Sequence, residues 1–239
     1  MKAFSKISLS VMAIFGLLSA NVSASEIAED VTIIEVTEVE ELVEFDDVKH
    51  GDLYYEEIQY LLKLGTINGY DDGTFKPLNN VNRAEMVKVV ATSVQYRFSE
   101  YGDDVFEAYE DQSCFSDVTA GEWHSKYICF AKDHDWIKGY DDGSFKPDQR
   151  VTFVEALKIA FMGFDLEYSE ATDPWYQEMV DRALYYAYIP ETIGEDYGEY
   201  LNRGELAALI RMMVVFDPDA ICPLSDHFTD SYYSEDDEA

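Results

Sequence analysis

Two stretches of this chain, GYDDGTFKP at 69–77 and GYDDGSFKP at 139–147, lie 70 positions apart and differ only in Thr74 against Ser144. A nonapeptide written twice constrains a fold more than any average property, because a fixed period marks a chain assembled from repeated structural units. The same offset brings Phe45-Asp46-Asp47-Val48 onto Phe115-Ser116-Asp117-Val118, Ile58 onto Ile128, Ile67 onto Ile137, Val81 onto Val151, Glu85 onto Glu155 and Lys88 onto Lys158. An offset of 52 from the second unit finds a third, in which Trp123 meets Trp175, Ala131 meets Ala183 and Ile137 meets Ile189. Two residues then drop out before Glu155 meets Glu205, and ETIGEDYGEY replaces the nonapeptide. The repeats are read at 45–98, 115–164 and 173–216, the last one degenerate.

Apolar spacing within each unit predicts helix, loop, helix. Residues 53–64 put Tyr54, Ile58, Leu61, Leu62 and Leu64 at helical intervals, and Gly65 supplies the stop. Residues 83–96 then place Met86, Val89, Val90 and Val94 on one face. The pair recurs at 123–133 with 154–164, and at 175–188 with 204–215. Helices this short cannot bury an apolar face in isolation, so the three pairs must share a core in one all-α body.

The nonapeptide fails as a calcium loop. An EF-hand needs carboxylates before its glycine and a glutamate six residues after it. With Gly73 in the glycine position the ligand positions hold Asn68, Tyr70 and Asp72, with Asn79 last; Gly143 gives Lys138, Tyr140, Asp142 and Gln149. Asp-Asp-Gly reads instead as a turn, with Pro77 and Pro147 stiffening the exit and Phe75 and Phe145 plugging the core. The four histidines show no metal-ligand spacing, so no metal site is expected and no cofactor is implied.

Lys2 and Lys6 precede the apolar run ISLSVMAIFGLLSA, and small residues close it at Val22-Ser23-Ala24, the pattern of a secretory signal peptide over 1–24. No later segment approaches the ~20 apolar residues of a membrane span, so the mature chain is expected to be exported without one. Removing the leader takes two lysines and no acid, which moves the net charge from -32 to -34. A nucleic-acid partner is disfavoured, since phosphate binding needs a basic footprint. The stretches 25–44 and 217–239 read as an acidic leader and an acidic tail. Cys114, Cys129 and Cys222 allow three single disulfide pairs, and Cys114 with Cys129 is expected because both fall in one repeat.

The order Phe-x-Asp-Val, aromatic-led helix, Gly-Tyr-x-Asp-Gly-x-Phe-x-Pro, then Asn-Arg-Ala-Glu opening a second helix resembles the S-layer homology domain. The family's Thr-Arg-Ala-Glu motif is matched by Asn82-Arg83-Ala84-Glu85, Thr152-Phe153-Val154-Glu155 and Asn202-Arg203-Gly204-Glu205. The resemblance implies a pseudo-threefold, three-pronged helical body that holds exported proteins to the cell envelope. It implies grooves that bind secondary cell-wall polysaccharide, often bearing pyruvate ketals, through the motif arginine with nearby aspartates and tryptophans.

The chemistry of the residues agrees. Arg83 and Arg203 offer a planar charged fork to a ketal carboxylate, Asp47 and Asp117 offer acceptors to sugar hydroxyls, and Trp123 and Trp175 offer stacking faces. Phe153 in place of arginine and Leu53 in place of tryptophan leave at most two competent grooves. Asn82 with Glu85, Thr152 with Glu155 and Asn202 with Glu205 read as helix caps. No Gly-x-Ser-x-Gly, His-Glu-x-x-His or phosphate loop appears, so no enzyme is expected. The alternative is a structural envelope protein whose repeats self-associate, through Cys222 or the tail, without glycan.

Overall fold

The computed structural model describes residues 43–98 and 104–215. The signal peptide, nearly all of the acidic leader, the tail and Cys222 lie outside the described residues. Among the described residues six α-helices follow in order: α1 Tyr55–Lys63, α2 Arg83–Phe98, α3 Ser125–Asp133, α4 Phe153–Gly163, α5 Gln177–Tyr185 and α6 Arg203–Val215, with a short 3₁₀ turn at Glu107–Tyr109. Among the described residues there is no strand beyond isolated bridges, so the protein is all-α, and no helix is long and apolar enough to cross a membrane.

The first helix of each pair stops by the same device. Thr66, Trp136 and Tyr188 each donate a backbone N–H to the carbonyl five residues back, on Leu61, Ala131 and Ala183. The residue just before each donor, Gly65, Asp135 and Ala187, takes positive φ, as a Schellman closure requires. That closure ends α5 at Tyr185, three residues short of the apolar pattern. At the other end α1 starts at Tyr55 rather than 53, because Tyr54 itself sits at φ 68.

The main helix contacts are not those between the two helices of one helix–loop–helix pair. α1 packs on α6, α3 on α2 and α5 on α4, so each first helix leans on the second helix of another pair. The segments before the second helices are tied in a ring: Val81 N–H donates to Leu201, Leu201 to Val151 and Val151 to Val81, at 2.9, 3.1 and 3.1 Å. The helix starts close a second ring in the opposite sense, with Arg83 N–H donating to Gln149, Phe153 to Glu199 and Arg203 to Asn79, each at 2.9 Å. Amides that a helix N-terminus cannot satisfy internally are thus met by another helix pair's loop. Ile58, Ile128, Val151, Val81 and Leu201 are fully buried, and Val180 almost so, which gives the three pairs one continuous core.

The nonapeptide is a tight turn in both copies. Tyr70 N–H donates to Thr74 and Gly73 N–H to Tyr70, and Tyr140, Ser144 and Gly143 repeat the pattern, with both glycines at φ 81. Asp72 and Asp142 accept from the backbone and hydroxyl of Thr74 and Ser144. Bonding to Lys76 and then to Thr74 holds the Asp72 carboxyl down at about 2. Gly69 and Gly139 answer to a packing constraint: a Cβ there would stand 2.1 and 2.4 Å from the rings of Phe45 and Phe115. Those rings cover the buried Phe75 and Phe145 at 5.5 Å between centroids. Cys114 and Cys129 are joined as a disulfide with Cα atoms 5.5 Å apart, tying the segment before the second repeat to α3.

Candidate functional site

Because the helix starts and loops interlock, the grooves among the described residues draw on more than one helix pair. The first groove is lined by Arg203 of α6, by Glu85, Lys88 and Val89 of α2, by the 66–70 loop with Tyr70, and by Trp123 ahead of α3. The second is its counterpart: Arg83 of α2, Glu155, Lys158 and Ile159 of α4, the 135–140 loop with Tyr140, and Trp175 ahead of α5. Arginine, lysine, glutamate, tyrosine and tryptophan therefore recur at matched places. The cavity volumes, about 200 and 290 Å³, are below the roughly 300–1,000 Å³ of sites that engulf a small molecule. These are open grooves suited to part of a polymer.

Each arginine is fixed before any ligand arrives. Arg203 Nε donates to the Phe75 carbonyl at 3.0 Å and its Nη2 to the Asn68 carbonyl at 2.9 Å. Its guanidinium carbon lies 4.5 and 4.9 Å from the ring centroids of Phe75 and Tyr70, and Nη1 is 3.6 Å from Glu85 Oε1. Arg83 repeats the arrangement on the second loop: Nε donates to the Phe145 carbonyl at 2.9 Å, with Phe145 and Tyr140 at 4.6 and 5.1 Å. Arg83 is only 9% exposed. Guanidinium on aromatic faces is a pre-organised cation, and the residual exposure leaves it an edge to present to an anion.

The tryptophans are the accessible part of the site. Trp123 is 52% and Trp175 37% exposed, unusual for rings this large, and the Lys158 ammonium stands 5.1 Å from the Trp175 centroid. The lysines escaped selection as site residues, although Lys88 and Lys158 were in register at the 70-residue offset. Burial pushes the Lys88 ammonium's pKa down, with the Arg203 charge the next cause. The bond from Lys158, ahead of other causes, holds the Glu170 carboxyl below its ordinary value.

Asp47 and Asp117 stand elsewhere. They line neither groove, and both oxygens of each accept backbone N–H groups: Asp47 from Phe75 and Lys76 at 2.7 Å, Asp117 from Phe145 and Lys146 at 2.8 Å. Their carboxylates hold the nonapeptide turns in place, where acceptors for sugar hydroxyls had been expected. The glutamates carry two tasks. Asn82 and Glu85 exchange reciprocal side chain–backbone bonds at 2.8 and 2.9 Å, Asn202 and Glu205 do the same, and Thr152 with Glu155 forms a capping box. Glu85, Glu155 and Glu205 each also face a groove.

The third position in the cycle is different. Phe153, 1% exposed, occupies the arginine place and packs on Tyr197 at 5.8 Å. Thr192 stands where Tyr70 and Tyr140 stand, and the Tyr54 hydroxyl donates to it at 2.9 Å. The Tyr54 ring lies where a Cβ on residue 204 would sit, 2.1 Å away, which is why Gly204 departs from the alanine of the motif. Register puts Ala208 at the lysine place and Leu53 at the tryptophan place. Of these, Phe153 and Thr192 line one groove, together with Asp196, Glu199 and Glu205 among others. Among the described residues no cluster of His, Cys, Asp or Glu is arranged to hold a metal ion.

Comparison with known sequences points the same way as the residues. The family profile of the S-layer homology domain matches residues 44–87 and 115–157. A cellulosome-anchoring protein of Acetivibrio thermocellus is 25% identical over 164 residues, covering 64% of this chain and 35% of that protein. The middle cell wall protein of Brevibacillus brevis is 27% identical over 126 residues, covering 53% of this chain and 11% of its own length. A surface layer protein of Brevibacillus choshinensis is 26% identical over 125 residues, covering 52% and 11%. The chain thus spans about a third or less of the length of these relatives.

Proposed function

We propose that this chain is an anchoring module that binds cell-wall polysaccharide through the first two inter-repeat grooves. The domain matches and the named relatives indicate a non-catalytic protein exported to the cell surface. The single observation that carries the polysaccharide reading is the recurrence, in two grooves, of a pre-set arginine, a lysine, a tyrosine and an exposed tryptophan. An exposed indole offers a face to a sugar ring, while the cations suit a carboxylate such as a pyruvate ketal. The third groove lacks the arginine, and by register the lysine and tryptophan too, and takes no part.

The proposal includes a third, degenerate repeat at 173–216 completing a pseudo-threefold, three-pronged body. The closed ring of bonds through Val81, Val151 and Leu201 supports it, as do the three equivalent helix stops. It also includes cleavage of a signal peptide after Ala24.

Isolated wall polysaccharide should pull the mature protein down, and Arg83→Ala with Arg203→Ala should weaken that capture at least tenfold. Because both arginines also hold loop carbonyls, Trp123→Ala with Trp175→Ala provides the companion test, with circular dichroism as a check on folding. Capture unchanged in the tryptophan pair would overturn the groove assignment. Failure to bind any wall fraction, with concentration-dependent association in its place, would favour the self-associating envelope protein.

A further inference from the structure

The three grooves differ in charge as much as in shape. Two cations, Arg203 and Lys88, face one carboxylate, Glu85, in the first. The second sets Arg83, Lys138 and Lys158 against Asp135, Glu155 and Glu170. The third has Asp196, Glu199 and Glu205 and no cation. On a chain of net charge -32, only the first groove carries a local excess of positive charge.

The matched lysines expose the cause. Among the described residues no carboxylate makes a salt bridge with Lys88, which is half-buried beside the Arg203 charge. Lys158, its counterpart, is bound 2.6 Å from Glu170 Oε1, and the Tyr168 hydroxyl donates to the same oxygen at 3.1 Å. Glu170 comes from the segment between α4 and α5, which reaches back over the groove wall. Tyr168 is itself anchored, its ring packed edge-on against the buried Phe161 at 5.9 Å. The carboxylate therefore sits at the ammonium that stands over Trp175, where an acidic substituent on a stacked sugar would have to go.

We infer that the first groove is the one that prefers the acidic saccharide unit, and that Glu170 is a resident carboxylate that disfavours such a unit in the second. This rests on the saccharide-binding reading of both grooves. The Lys158–Glu170 pair is half-exposed, so its own strength is modest. What matters is the charge that remains: two carboxylates about 4 Å apart repel enough, even with water-like screening, to weaken binding roughly fivefold, and more in a drier groove. Neutralising Glu170 removes that penalty and frees the Lys158 ammonium for the ligand.

Calorimetric titration with a methyl hexopyranoside 4,6-pyruvate ketal, and with the uncharged methyl ester of that ketal, tests this. The intact mature protein should bind one equivalent of the acid tightly and a second at least about fivefold more weakly. Lys88→Met should weaken the tight site at least tenfold, and Glu170→Gln, or Glu170→Ala, should strengthen the second at least about fivefold without changing the response to the ester. Two equivalents of equal affinity in the unmodified protein, no gain in either Glu170 variant, or full binding in Lys88→Met would overturn the inference. If the acid binds none of these proteins while wall polysaccharide still captures them, the charge assignment falls and the polysaccharide reading stands; if capture fails as well, both fall.

Discussion

Ala187 adopts φ 56 at the end of α5, in the place that Gly65 fills after α1 and Asp135 after α3. A left-handed conformation costs a residue with a Cβ about 1–2 kcal/mol, and glycine pays none of it. Ala187 is exposed, so substitution there disturbs no packing. Ala187→Gly should therefore stabilise the protein by about 1 kcal/mol despite glycine's greater freedom in the unfolded chain, visible as a higher midpoint in urea. Asp117 makes the opposite case. Its carboxylate accepts from the Phe145 and Lys146 amides, and charged acceptors of this kind are worth about 1.5–3 kcal/mol each when buried, less at an exposed position. Asp117→Ala should cost about 1–3 kcal/mol, and any loss of wall binding should follow the fraction unfolded. A variant of native stability that nonetheless fails to bind would return Asp117 to the ligand.

The elements were largely legible because period and cap chemistry act locally. Glycine and proline in the nonapeptide, Asn or Thr three residues before Glu, and apolar residues at helical spacing each act within a few positions, and the helices lie within about three residues of where these signals put them. What was not legible depends on contacts between residues distant in the sequence. Nothing local to Phe-x-Asp says that both aspartate oxygens will meet amides 28 and 29 residues away, or that Tyr54 will lie across Gly204. The same holds for α1 choosing α6 as its partner, and for the differing fates of Lys88 and Lys158. The disulfide belongs to this scale, since it ties a spacer to α3 across a separation of 15 residues. Closing a loop of that length stabilises by roughly 3 kcal/mol in the chain-entropy account. Mass measurement after alkylation without reductant should leave Cys114 and Cys129 unmodified; a labelled pair would refute the bond. Reduction should then lower stability by about 2–3 kcal/mol.

At the scale of the whole molecule, local and global charge oppose each other. The chain carries -32, yet the first groove presents Arg203 and Lys88 against a single glutamate. A proposed anionic polymer is repelled by the surface and attracted by the groove, and salt weights the two by distance. At 0.01 M the Debye length is about 30 Å, so the whole acidic surface is felt; at 0.15 M it is about 8 Å, and the charges lining the groove dominate. Half-buried groove cations are screened less than the exposed acids around them. Affinity for immobilised wall polysaccharide should therefore rise between 0.01 and 0.15 M NaCl and fall only towards 1 M, unlike a basic protein on a polyanion, whose binding weakens from the lowest salt upward. Divalent cations at low ionic strength should mimic the rise by neutralising the acidic surface. A monotonic decline from 0.01 M would mean that groove attraction outweighs the surface at every distance, and would remove the acidic surface as a control on binding.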